Sequence, residues 1–204
     1  MRAKPPVPTI DKIRVELEAH GITHVGVAPA TPMLRARKAL AERKASGFAD
    51  NMSFTWRNPE RSTTPTASVA EAQSIIVAAL PYLVDDVTPP TGRRAHIARY
   101  ARADHYSILR TALRSVARNL KMAGERAVAF ADDNALVDRE AAYRAGIGWF
   151  GKNANLLVPG AGSYFVLGSI ITTAMYEPSQ PVEDGCGSCT RCLDGCPTGA
   201  IVAP

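Results

Sequence analysis

The sequence is sparing with cysteine and aromatic residues, and no uninterrupted apolar run approaches the length of a membrane span. A helix that crosses a bilayer needs about 20 consecutive apolar residues, so no membrane-spanning helix is expected. The opening residues, MRAKPPVPTIDKIRVE, alternate prolines and charges where a secretory leader would carry an apolar core. The expectation is a soluble, unexported, cytoplasmic protein. Histidine motifs are also missing. His20, His24, His96 and His105 form no H-E-x-x-H, and the chain contains no Asp-x-His-x-x-Gly. The four cysteines all lie between Cys186 and Cys196. That crowding argues against a secreted disulfide framework, whose bridges are spread along the chain to close useful loops. Repeats and low-complexity tracts are absent.

What remains is a chain of 204 residues, 46% of them hydrophobic, which is room for one ordinary domain with a small appendage. The formal net charge is +5. Its basic residues gather in two places: Arg35, Arg37, Lys38, Arg43 and Lys44, then Arg93, Arg94, Arg99 and Arg102. Such patches suit a polyanion such as nucleic acid, because neutralised phosphates release condensed counterions. A solvated helix face is the plainer reading of the first patch.

Thr9 is placed to cap a helix bearing Ile10, Ile13 and Leu17 on one face, with Gly21 as its stop. A strand over 23–28 and a basic helix over 33–45 follow. The polar segment 47–66 reads as an ordered loop, and 74–80 as a buried strand. Residues 84–91, with Pro89-Pro90, read as a loop. The clearest helix spans 107–122, where Leu109, Leu113, Val116 and Leu120 make one stripe and Gly124 ends it. A strand over 126–131 and a helix over 137–144 come next. Residues 155–158 and 163–173 read as two strands joined by a Pro159-Gly160 turn. From Pro178 the composition turns to Gly, Pro, Cys and Asp, which divides the chain into a body, 1–177, and a tail, 178–204. Helices and strands do not alternate in a clean βαβ manner, so the expected class is α+β.

Cys186-Gly-Ser-Cys189-Thr-Arg-Cys192-Leu-Asp-Gly-Cys196-Pro197 has the C-x2-C-x2-C-x3-C-P spacing of bacterial ferredoxins. Three thiolates in one tight loop can reach three irons of a cubane 4Fe–4S cluster, and the interleaved glycines let the backbone wrap it. Pro197 is favoured at the first position of a helix. Zinc sites instead separate their cysteine pairs. In two-cluster ferredoxins the fourth cysteine serves the other cluster. Each cluster takes four thiolates, and four cysteines are all this chain has. Cys186, Cys189, Cys192 and Cys196 are therefore read as ligands of one cluster, standing alone or as part of a pair completed by another polypeptide.

Gly146-Ile-Gly148-Trp-Phe-Gly151 matches G-x-G-x-x-G, yet a helix precedes it and an extended segment follows, the reverse of the dinucleotide fingerprint. These glycines are expected to let the backbone approach something large and flat. Asp132 and Asp133 head a short helix, where an acidic cap is the plain interpretation.

Asp132-Asp-Asn-Ala-Leu-Val-Asp138-Arg139, followed by Arg144-Ala-Gly-Ile-Gly-Trp-Phe-Gly-Lys152-Asn153, resembles the central signature of the epoxyqueuosine reductases. Arg57-Asn-Pro-Glu-Arg61, Ile97-Ala-Arg99-Tyr100-Ala, Gly162-Ser163-Tyr164 and the cysteine motif occur in the same order as in that family. The resemblance implies a cobalamin-binding α/β-type domain followed by a ferredoxin-like module, removing the epoxide oxygen from epoxyqueuosine in tRNA to give queuosine. It gives Asp132 the role of acid. It places Arg57, Arg99, Asp132, Lys152, Asn153, Gly162, Ser163 and Tyr164 near cobalamin, with no axial histidine from the protein. It implies tRNA as substrate and an electron donor such as flavodoxin or ferredoxin. Family members continue beyond this chain's last residue, so the tail is expected to be incomplete. The alternatives are an electron-transfer or cobalamin-binding module that needs a partner chain, or another cobalamin-dependent reductase such as a reductive dehalogenase.

Overall fold

The computed structural model describes residues 4–51, 54–83 and 97–202. Arg93, Arg94, His96 and the 84–91 segment with its paired prolines lie outside the described residues.

The core is a four-stranded sheet built from β1 (His24–Pro29), β2 (Ser74–Pro81), β3 (Ala127–Ala131) and β6 (Phe165–Thr172) in the order β1-β2-β6-β3, every pair antiparallel. The central strand β2 shows why the sequence requires cover on both sides. Ile76, Ala78 and Leu80 point to one face, Ile75, Val77 and Ala79 to the other, and all six are buried. Successive strand residues face opposite ways, so a run without polar breaks must be sandwiched. The mixed class expected from the sequence holds, as an antiparallel sheet with helices on both faces.

Two helices cover the first face. In α1 (Ile10–Glu18), Thr9 Oγ1 accepts the Lys12 N–H at 3.4 Å, and Ile13 and Leu17 are fully buried. In α4 (His105–Met122), Leu109, Leu113, Val116 and Leu120 meet the sheet as their spacing predicts. This helix begins two residues earlier than expected, because Asp104 caps it through the Ser107 N–H at 2.9 Å. Gly124 ends it with φ of 101°.

The second face carries α5 (Asp138–Arg144) and α2 (Leu34–Ala45). The small residues Ala141, Ala142 and Ala145 bring α5 close to the sheet. A Cβ on Gly26 of β1 would stand 2.0 Å from the Ala145 carbonyl oxygen. Helix α2 is rich in strong helix formers but buries only Ala36, so polar anchors hold it. Arg37 donates to the Thr63 and Thr64 hydroxyls, just past the short helix α3 (Pro59–Ser62), at 2.9 and 2.7 Å. Arg35 turns inward to Glu140 of α5. Two arginines of the first basic patch thus help to hold α2, while Arg35, Lys38, Arg43 and Lys44 remain exposed, as a solvated helix face requires.

One pairing differs from the expected hairpin. Leu156–Leu157 (β5) pairs with Trp149–Phe150 (β4) rather than with the strand that follows the Pro159-Gly160 turn. The turn is closed by a single bridge between Val158 and Gly162. The strand after it, β6, instead crosses to the sheet centre, where its apolar faces find cover. In the tail, a single helical turn, α6 (Arg191–Asp194), carries Cys192. Pro197 opens no helix within the described residues; Cys196 and Gly199 close a turn there, N to O at 3.2 Å.

Candidate active site

Strand β3 ends at Ala131, and the next residue, Asp132, has a φ of 55°, a left-handed conformation that is costly for a residue with a Cβ. This turn directs the chain into a cavity of about 750 Å³ between α2, α5 and the sheet. Its apolar walls include Phe54, Trp56, Tyr106, Leu136, Phe150 and Phe165; its polar side is a row of carboxyls, Asp132, Asp133 and Asp138.

The three aspartates differ in their surroundings. Asp133 Oδ1 accepts the Ala135 N–H at 2.8 Å, a local turn bond. Asp132 is exposed and lines the cavity. Neither caps α5, whose N-cap is Val137 with no side-chain bond, so the cap reading fails for both. Asp138 Oδ1 is sealed from solvent without a hydrogen-bond partner. Burial, aided by the charges of Asp132 and Asp133, pushes its carboxyl from 3.8 up to about 8, against the pull of Arg139. The same environment raises the phenol of Tyr106, through burial first and then Asp132 and Asp138. Across the cavity Arg35 lies over the rings of Tyr143 and Phe150, 4.2 and 4.6 Å from their centroids, and pairs with buried Glu140 at 2.5 Å.

The remaining residues singled out in the sequence fall into three groups. Ser163 lines a smaller hollow of about 180 Å³ that shares Arg139, Phe165 and Leu167 with the main cavity. Gly162, with φ of 71°, and Tyr164, edge-on to Tyr82 at 5.8 Å, flank Ser163 in the same turn. Arg57 lines a third hollow of about 430 Å³, which shares Trp56 with the main cavity. Arg99 lies on a short 3-10 turn, Arg99–Ala101, away from these linings. Lys152 and Asn153 also stand elsewhere. Lys152 Nζ donates to the carbonyls of Gly187 and Cys189 at 2.9 and 3.1 Å, and Asn153 Oδ1 accepts the Asn155 N–H at 3.1 Å.

The glycines of the G-x-G-x-x-G segment admit the chain's own backbone rather than a flat ligand. A Cβ on Gly146 would stand 2.1 Å from the Gln180 carbonyl oxygen, and one on Gly148 2.1 Å from that of Leu157.

All four cysteines are free thiols. Hydrogen bonds from the Ile201 N–H and the Thr198 hydroxyl pull the Cys196 thiol down to about 7. Among the described residues, no three His, Cys, Asp or Glu side chains are gathered into a ready metal site. The donor set nevertheless fits a cluster: four unpaired thiols, a Trp149 indole N–H 3.4 Å from Cys186 Sγ, and an ammonium on the loop carbonyls.

The family described as "Epoxyqueuosine reductase QueG, DUF1730" matches residues 63–133. An epoxyqueuosine reductase of Gloeobacter violaceus is 36% identical over 97% of this chain and 62% of its own length. This chain is similar to the epoxyqueuosine reductases along nearly its whole length. It spans about half the length of the Bacillus relatives it matches. An epoxyqueuosine reductase crystallised with an epoxyqueuosine-modified tRNA-Tyr stem loop superposes with a TM-score of 0.87 at 33% identity, covering 96% of this chain and 53% of that one. A Bacillus subtilis epoxyqueuosine reductase, with an aspartate-bearing catalytic loop swung out of the active site, gives 0.85 at 32% identity, with 96% and 53% covered.

Sequence reasoning passed over Arg35, Trp56, Asp138 and Phe150 as cavity residues. Only Asp138 carried a signal, as a second acid six positions after Asp132 in the signature.

Proposed function

We propose that the chain carries the catalytic part of a cytoplasmic epoxyqueuosine reductase, acting on epoxyqueuosine in tRNA. The main cavity, with the hollows beside it, holds cobalamin; Asp132 is the acid; the four cysteines hold a 4Fe–4S cluster fed by a small donor such as flavodoxin or ferredoxin. The observation that supports this best is Asp132 itself: a carboxyl held at strained φ, on the wall of the largest cavity described, in a chain similar to a reductase whose aspartate-bearing catalytic loop is swung out of its active site.

The residues suit the group. The cavity lies within the usual range of cofactor pockets, about 300–1,000 Å³, and its aromatic walls suit the face of a macrocycle. Among the described residues no histidine lines it. Cobalamin, when bound, supplies a strongly reducing metal centre. The residues of the chain handle the protons. Removing an epoxide oxygen as water consumes two electrons and two protons, and Asp132 donates to that oxygen as the ring opens. Asp138, which keeps its proton near neutral pH, and the Tyr106 phenol surround the same space.

The test is anaerobic titration of the protein with cobalamin by absorption, then turnover of an epoxyqueuosine-bearing tRNA stem loop. Asp132→Asn is expected to lower turnover about 10²–10⁴-fold while retaining cobalamin; Asp133→Asn is expected to stay close to wild type. Absence of cobalamin binding at micromolar protein, or wild-type turnover in Asp132→Asn, sinks the proposal.

A further inference from the structure

The contacts between body and tail run in register. Along the body segment, Gly146 admits the Gln180 carbonyl, Trp149 packs against Gly185 and donates to Cys186 Sγ, and Lys152 takes the carbonyls of Gly187 and Cys189. A Cβ on Gly185 would stand 2.8 Å from the Trp149 ring, so indole and tail backbone touch. Three body positions spaced three apart thus receive successive stretches of the tail. The indole N–H is a donor only, which makes the cysteine sulfur the acceptor. The strand that carries it has just two residues, and the second, Phe150, lies in the cavity wall beneath Arg35. One side of β4 serves the thiol loop and its other residue serves the cavity.

We propose that Trp149 and Lys152 are positioning residues, a latch that seats the cysteine loop against the outside of the cavity wall and sets the electronic character of its sulfurs. The inference rests on the reading of the cysteines as cluster ligands. An N–H donor to a ligand sulfur and a neighbouring cation both favour the more negative, reduced form of a cluster, so the latch raises its potential. Its mechanical part, holding the loop, acts with or without metal.

The experiment uses the full chain with Trp149→Phe, which keeps a ring but loses the donor, and Lys152→Met, which keeps the stem but loses the charge. In the metal-free, reduced protein, hydrogen exchange at residues 183–190 is expected to quicken several-fold in Lys152→Met, with α4 unchanged as a folding control. After anaerobic reconstitution, both variants are expected to titrate at a more negative potential than wild type. Unchanged exchange over 183–190 in both variants overturns the latch, and coincident potentials overturn the tuning. If wild type itself takes up no iron and sulfide, the cluster reading falls, while the exchange comparison still decides the latch. Should Trp149→Phe fail to fold, Lys152→Met carries both measurements, its side chain being only half-buried.

Discussion

Asp138 is a carboxyl group with a buried oxygen and no donor to satisfy it, and its consequence is a pH dependence of known sign. Its carboxyl, ordinarily at 3.8, is held at about 8 by burial and by the charges of Asp132 and Asp133. Below the lower value both folded and unfolded chains hold the proton. Between the two the unfolded chain has released it and the folded chain retains it, so this group's contribution to stability declines as pH climbs toward 8. Asp138→Asn cannot titrate. The melting temperature of wild type is expected to fall relative to Asp138→Asn between pH 5 and pH 8, and parallel curves for the two proteins would show that Asp138 is ordinarily ionised. Its protonation is also what the cavity needs. An ionised Asp138 would place a desolvated charge against apolar walls, at a cost of several kcal/mol per ion (about 2–7 for a merely polar group).

At the scale of elements, α2 and α5 are clasped by Arg35 and Glu140, and the clasp is asymmetric. Glu140 has a side chain 6% exposed, whereas that of Arg35 is 53% exposed. Removing the arginine strands a buried carboxylate; removing the carboxylate frees an arginine that reaches water. Arg35→Ala is therefore expected to destabilise by about 3–5 kcal/mol, Glu140→Ala by less, and the double variant by less than Arg35→Ala alone. Denaturant midpoints check the order, and additivity of the two single changes would contradict it. This clasp also shows where the sequence stopped being readable. The stripe Leu109, Leu113, Val116, Leu120 and the alternation through β2 carried their burial in their spacing, so α4 and the central strand were legible. Arg35 was not, since a helical pattern assigns an arginine to solvent and only a partner 105 positions away turns it inward. The pairing of β4 with β5 escaped for a different reason: two-residue strands have no period to detect. Asp132 was singled out by a familiar signature, but its strained φ and its cavity belong to tertiary structure, as does the diversion of Lys152 to the cysteine loop.

For the molecule as a whole, the decisive question is whether the cysteine tail is part of the fold or docked upon it. Both hydrophobic cores close without it: the first ends at Ala174 with Tyr176 packed alongside, the second at Ile171. What the tail supplies to the sheet is cover for an edge. Strand β1 is one of the two outer strands, and on its open side Val27 donates to Ser179 Oγ at 2.9 Å and accepts the Ser179 N–H at 2.9 Å. An uncovered strand edge pairs with other chains. A chain ending at Glu177 is therefore expected to keep the far-UV circular dichroism of the sandwich and to unfold cooperatively, with a melting temperature lower by a few degrees for the lost contacts. It is also expected to associate in a concentration-dependent way through β1. Replacing Gly26 with lysine would clash with Ala145, so the edge is better blocked at His24, where a lysine discourages pairing. Sedimentation of the shortened chain with and without His24→Lys separates edge pairing from general stickiness: if association persists unchanged with the lysine, β1 is not the surface responsible. If the shortened chain is instead unfolded, the tail belongs to the folding unit, and the division at residue 178 must be abandoned.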